Sequence, residues 1–190
     1  LVQNFLRYVA IPSQSKGGVA AVPSTEGQKV LAKTLEKELI DLGLEDVCVD
    51  EHSIVYGTLK GNTKAPTIGF VSHLDTVDVS LSEVVKPQII EYRGGDVVLN
   101  KDNNIVIKES EHPDLNKYVG DKVIFTDGTS VLGADNKSAM ANIMSALQIL
   151  VEDPTIPHGD LKVAFVPDEE VGLKGSKLMN LDKFKVDFAY

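Results

Sequence analysis

The sequence predicts an α/β protein: a three-layer α/β/α arrangement around a central, mostly parallel sheet, with a small β-rich excursion. Three observations lead there. Segments with helical periodicity alternate with short apolar runs, which favours a sheet covered by helices. Two of those runs, "TIGFVS" and "LKVAFV", lack the polar alternation of a strand with one wet face. Residues 86–126 then change character and offer only short strand-like pieces. With 190 residues, the chain is long enough for one domain with a sizeable core.

Each element has its own signal. "LVQNFLRYVA" places Leu1, Phe5, Leu6 and Val9 on one helical face. "IPSQSKGGVAAVPST" is rich in Gly, Pro and Ser and reads as a loop. Thr25 and Gln28 have capping-box spacing, Leu31, Leu35, Leu39 and Leu42 continue an amphipathic helix, and Gly43 is the expected stop. "DVCVD", "SIVYGTL" and "TIGFVS" follow as strands, with "KGNTKAP" as a turn. In the excursion, "PQIIEY", "DVVLN", "NIVIKE" and "DKVIFT" are strand candidates, and "NKDNN" is a hairpin turn. "NKSAMANIMSALQIL" is helical, with Ala139, Ile143, Leu147 and Leu150 expected on the packed face. "PTIPHG" breaks the chain before the strand "LKVAFV".

Composition narrows the function classes. With 19 basic and 28 acidic side chains the net charge is −9, which argues against nucleic acid or an anionic membrane as partner. The single cysteine, Cys48, cannot form an internal disulfide and reads as a small core residue in a reducing, cytoplasmic setting. No apolar run is long enough to span a membrane, and no signal peptide is visible.

Three clusters carry candidate chemistry. "TIGFVS" runs into His73 and Asp75, "LKVAFVP" runs into Asp168, Glu169 and Glu170, and Asp135 opens a helix after Gly133. Ligands of open α/β sheets bind beyond the carboxyl ends of strands, and parallel strands would bring the first two clusters to one edge. A ligating imidazole needs its second nitrogen held, and Asp75 is placed to hold that of His73, although a surface His and Asp would look the same. Adjacent carboxylates repel unless solvated or neutralised by a cation, so "DEE" is either a wet acidic loop or part of a metal site. Asp135 could bridge two cations or simply cap its helix. His52, His112 and His158 sit in loop-like contexts and are weak ligand candidates, and Asp127 reads as a turn former.

In that order, "SHLDTVD", "GADNKSAMANIMSAL" and "VPDEEVG" resemble the co-catalytic zinc aminoacylase and carboxypeptidase family. "KPQIIEYRGGD", "TDGTSVLGADNK" and "IPHGDLKVAFVPDEEVG" resemble its peptidase T branch, the tripeptide aminopeptidases. The resemblance implies two zinc ions, with His73 binding one, Glu170 the other and Asp135 bridging them. It implies that Asp75 supports His73 and that Glu169 is the general base for zinc-activated water attacking a tripeptide. It also implies further ligands beyond Tyr190, a late histidine among them, and a lid domain that completes the site and a dimer. Residues 1–190 would then be the N-terminal part of a catalytic domain, inactive alone, with 86–126 as its β-rich excursion. A related dipeptidase or N-acyl amino acid deacylase, a non-catalytic binding or dimerisation module, and a carboxylate-pair glycosidase are the alternatives.

Overall fold

The computed structural model describes residues 1–190. Its elements run α1 (Val2–Val9), α2 (Glu26–Asp41), β1 (Glu45–Val49), β2 (Val55–Leu59), β3 (Ile68–His73), β4 (Pro87–Glu91), β5 (Val97–Asn100), β6 (Ile105–Ile107), a 3-10 helix (Pro113–Tyr118), β7 (Lys122–Thr126), α3 (Ala134–Glu152), β8 (Leu161–Val166), α4 (Lys174–Lys177) and β9 (Phe188–Ala189). They divide into two compact units, one formed by 1–78 with 133–190 and the other by 79–132.

The first unit is built on a five-stranded sheet in the order β1-β2-β8-β3-β9. It is mixed rather than mostly parallel: β1–β2 and β2–β8 are antiparallel, whereas β8–β3 and β3–β9 are parallel. Five residues between β1 and β2 allow only a hairpin, because a parallel crossover needs a dozen or more. The pairing that matters most is β3 with β8, where His73 lies beside Val166 and both strands end at the same edge.

The pairing register also assigns the faces. Gly57, Val163 and Phe70 share one face, where a side chain at Gly57 would meet Leu39 of α2. There α2 packs on β1 and β2, and α3 packs on β3 with α1 against it. Tyr56, Ala164 and Val166 share the other face and pack with Ile54 and Phe184. That second layer is thin, consisting of the one-turn α4 and the irregular segment that carries Met179, Phe184 and Val186. Leu31, Leu35, Leu39, Val163 and Phe165 are fully buried, and each such side chain is worth roughly 1.5–3 kcal/mol of transfer free energy.

Three local expectations are corrected. Thr25 stands at the N-cap, but its hydroxyl donates to the Gln14 carbonyl rather than closing a capping box. Along α3 the buried stripe is Lys137, Met140, Ala141, Met144 and Leu147, not Ala139, Ile143 and Leu150, because α1 covers that side of the helix. On α1, Leu1 is exposed, and Tyr8 takes a core place with Phe5 and Val9.

The second unit pairs β4 with β7 and β5 with β6, both antiparallel. Its small core is Tyr92, Val97 and Phe125, with Ile90, Leu99, Ile107, Leu115 and Val123 around it. Asp127 accepts hydrogen bonds from the backbone N–H and hydroxyl of Thr129, the turn geometry its sequence context suggests.

Candidate metal centre

His73 is the last residue of β3 and is buried. Its Nδ1 lies 2.8 Å from the Asp75 carbonyl oxygen and 3.4 Å from the Asp75 carboxylate. Its Nε2 points the other way, 2.9 Å from the Asp135 carboxylate and 3.9 Å from that of Glu169. One ligand atom each from His73, Asp135 and Glu170 lies within 4.8 Å of the other two. A set of one imidazole nitrogen and two carboxylates suits zinc, which takes nitrogen and oxygen donors readily.

Asp75 does more than face the histidine. Fully buried, it accepts the backbone N–H of Glu169 at 2.9 Å and that of Glu170 at 3.1 Å. One carboxylate thus orients the imidazole at the end of β3 and holds the turn that follows β8. The parallel register of the two strands makes that reach possible.

Asp135 reaches the cluster from the start of α3. Its backbone, with that of Asn136, is not helical, and its largely exposed carboxylate meets His73 Nε2. Gly133 sets its approach: φ is +73°, and a β-carbon there would come within 2.9 Å of Thr76 Cγ2. Ser72 donates to the Asn136 carbonyl and further ties α3 to β3.

The electrostatics follow from crowding. Burial opposes the charged imidazole of His73, yet hydrogen bonds and attraction to Asp75, with a hydrogen bond to Asp135, raise its pKa to about 9. Burial also opposes ionisation of Asp75, but His73 and the Glu169 amide outweigh it and lower its pKa. Glu170 is pushed up by burial and by its acidic neighbours Glu169, Asp135 and Asp75. A proton on His73 here offsets negative charge, the service a cation would provide.

Asp168 behaves differently from its two neighbours. It is fully buried and accepts from Ser24 N–H, Ser24 Oγ and Gln28 Nε2 at 2.7, 2.6 and 2.7 Å. Gln28 and Ser24 carry no chemical signature in the sequence beyond a helix start. The glycine- and serine-rich stretch before α2 is likewise bound in place: Ser13 Oγ donates to the Leu74 carbonyl, and Ser15 N–H donates to that of Thr76. His52, His112 and His158 do not join the cluster. An apolar cleft of about 390 Å³ lined by Phe70, Ile143, Ala146 and Tyr190 contains none of the acidic residues.

Known proteins resemble this chain as a whole. No family model matches the chain. A peptidase T-like protein of Rhizobium meliloti is 50% identical over 191 residues, covering 100% of this chain and 46% of the relative. A peptidase T of Clostridium novyi is 46% identical over 193 residues, covering 100% of this chain and 47% of the relative. Over its whole length the chain is similar to part of these peptidase T proteins. It spans about half the length of the curated peptidase T relatives it matches. Among solved structures, a tripeptidase from Staphylococcus aureus superposes with a TM-score of 0.68 at 29% identity, covering 100% of this chain and 41% of that one. Over the matched region the α/β fold of this chain is therefore shared with that tripeptidase.

Proposed function

We propose that this chain is the N-terminal part of the catalytic domain of a metal-dependent aminopeptidase that removes the first residue of tripeptides. The observation that carries the reading is the meeting of His73, Asp135 and Glu170, with Asp75 behind the imidazole and Glu169 beside it. Similarity to peptidase T and to a solved tripeptidase supports the substrate class.

In this reading the centre would hold two zinc ions, with His73, Asp135 and Glu170 as the residues that would supply ligands from this chain. When bound, zinc polarises a carbonyl and lowers the pKa of water. Glu169 acts as general base: its carboxylate accepts a proton from the attacking water and passes it to the leaving amine. Asp75 keeps the His73 Nε2 aimed at the acids and fixes the peptide groups of Glu169 and Glu170. A catalytic zinc keeps roughly three protein ligands, so three residues shared by two ions leave each ion short. We assign the remaining ligands, and a lid through which the complete enzyme would dimerise, to the part of its relatives' length that this chain does not span. A cytoplasmic setting goes with the same reading; no helix is long and apolar enough to cross a membrane.

Calorimetric zinc titration of the complete enzyme and of its His73→Gln, Asp135→Asn and Glu170→Gln variants tests the centre. Each substitution is expected to weaken binding, and indifference to all three would overturn it. A panel of tripeptides, dipeptides and N-acyl amino acids given to the complete enzyme tests the substrate. Preference for the dipeptides or acyl amino acids would replace tripeptidase with a related amidohydrolase.

A further inference from the structure

We propose that Asp168 is a positioning residue which, with Gln28 and Ser24, fixes the turn that presents Glu169 and Glu170. The proposal rests on the functional reading above for its consequence, but its geometry stands apart from any metal.

Asp168 follows β8 directly after Pro167 and is fully buried, as is Gln28 in the first turn of α2. The Gln28 amide engages residue 168 twice. Its Oε1 accepts the Asp168 backbone N–H at 2.9 Å, and its Nε2 donates to Asp168 Oδ1 at 2.7 Å. This double contact defines the orientation of the amide, because flipping it would break both bonds. Ser24 completes the set by donating its N–H to Oδ2 and its hydroxyl to Oδ1. Ser24 Oγ is itself held by the N–H of Lys16 at 2.8 Å. Every donor around this carboxylate thus comes from the entry to α2, and none comes from the acidic cluster.

The backbone at Asp168 explains why such anchoring matters. Its φ is +56°, in the left-handed region that aspartate and asparagine tolerate better than most residues. That bend reverses the chain after the strand. The next two amides, of Glu169 and Glu170, then donate to Asp75. Two buried carboxylates from separate elements therefore hold three consecutive residues: Asp168 docks the turn on α2, and Asp75 docks it on the exit of β3. Without the first anchor the turn would rest on Asp75 and on the backbone bonds that its carbonyls accept from residues 172–175, and the two glutamate side chains would be less firmly directed.

Asp168→Asn isolates the hydrogen bonding, since asparagine accepts the same φ. Its NH2 group must face either the Ser24 N–H or the fixed Gln28 Nε2, so donor meets donor. The exchange Gln28→Glu with Asp168→Asn restores the match at residue 168 and gives up the bond that Gln28 Nε2 donates to Thr25 Oγ1 at 3.1 Å. Glutamate at 28 then accepts both the residue 168 N–H and the asparagine NH2, the asparagine oxygen accepts Ser24 N–H, and one buried carboxylate remains.

The experiment is amide hydrogen exchange by NMR on the metal-free chain, comparing wild type, Asp168→Asn and the exchange variant. In Asp168→Asn the amides of Glu169 and Glu170 are expected to exchange at least ~10-fold faster relative to Val163 and Ala164 of β8, the effect of losing about one buried hydrogen bond. The exchange variant should return them to wild-type protection. Unchanged relative protection at Glu169 and Glu170 in Asp168→Asn would overturn the proposal even if the melting temperature fell. So would an exchange variant that fails to restore it. If Asp168→Asn does not fold, a folded exchange variant with normal protection supports the proposal, and an unfolded one overturns it. Zinc titration of the complete enzyme separates the two readings. A complete enzyme that binds no zinc, with the amides of this chain behaving as expected, removes the metal centre and leaves the positioning role of Asp168.

Discussion

Replacing Asp75 by asparagine perturbs the centre at the point where its two halves join. The carboxylate is fully buried, accepts the amides of Glu169 and Glu170, and lies 3.4 Å from His73 Nδ1. Asparagine keeps the shape but has one acceptor oxygen, so its NH2 group must face an amide donor. A hydrogen bond to a charged acceptor contributes about 1.5–3 kcal/mol, and this part of the loss, about 2 kcal/mol, is the same from pH 6 to 9.5. The second part runs through His73, whose pKa is raised from 6.5 to about 9. A group raised in this way stabilises the fold fully below its unfolded value and loses that contribution as pH rises through the folded one. The interval between the two values corresponds to at most about 3 kcal/mol, shared between Asp75 and, less, Asp135. The lowered pKa of Asp75 describes the same interaction and is not added again. Urea unfolding of the metal-free chain, followed by circular dichroism, should therefore show Asp75→Asn less stable by about 4 kcal/mol at pH 6 and about 2 kcal/mol at pH 9.5. In a His73→Gln background the pH-dependent part should vanish. A gap that is equal at both pH values, or that persists in that background, would refute the coupling of Asp75 to His73.

Other outcomes follow from the same geometry. In the complete enzyme, Glu169→Gln should lower kcat by ~10²–10⁴ with metal content unchanged by atomic absorption; near-normal turnover would remove Glu169 as general base. Gly27→Ala should lower the melting temperature, although alanine is the better helix former, because its β-carbon would sit 1.7 Å from the Pro12 carbonyl oxygen. A rise in melting temperature would show that the α2 entry yields freely. Leu39→Ala, at a fully buried site on α2, should cost ~2–5 kcal/mol by urea unfolding, and a loss under ~1 kcal/mol would mean that the α2–sheet contact is loose. The 190-residue chain supplied with zinc should not hydrolyse tripeptides at a rate near that of the complete enzyme; matching rates at equal molar concentration would show that further ligands and a lid are dispensable.

The sequence by itself determined the elements and offered candidates for a centre. Continuous apolar runs and a period of 3.6, with Gly43 as a stop, are local properties, so the strands at 68–73 and 161–166 and the helix at 26–41 could be read directly. His73, Asp135 and Glu170 were legible because their residue types, placed after apolar runs or at a helix start, suit cation chemistry. Tertiary structure alone decided how those parts meet. The mixed sheet depends on which strands pair, and pairing is a long-range choice that no single strand encodes. The packed face of α3 was set by α1, which a helical wheel cannot see. The same holds for the stretch from Ile11 to Thr25 and for Asp168. The glycine- and serine-rich run had the composition of a free loop, and "DEE" had the look of a wet acidic triplet. Folding brought Ser24 and Gln28 to within hydrogen-bonding distance of a carboxylate 140 or more positions away, and only there does a buried charge find the donors that make its burial tolerable.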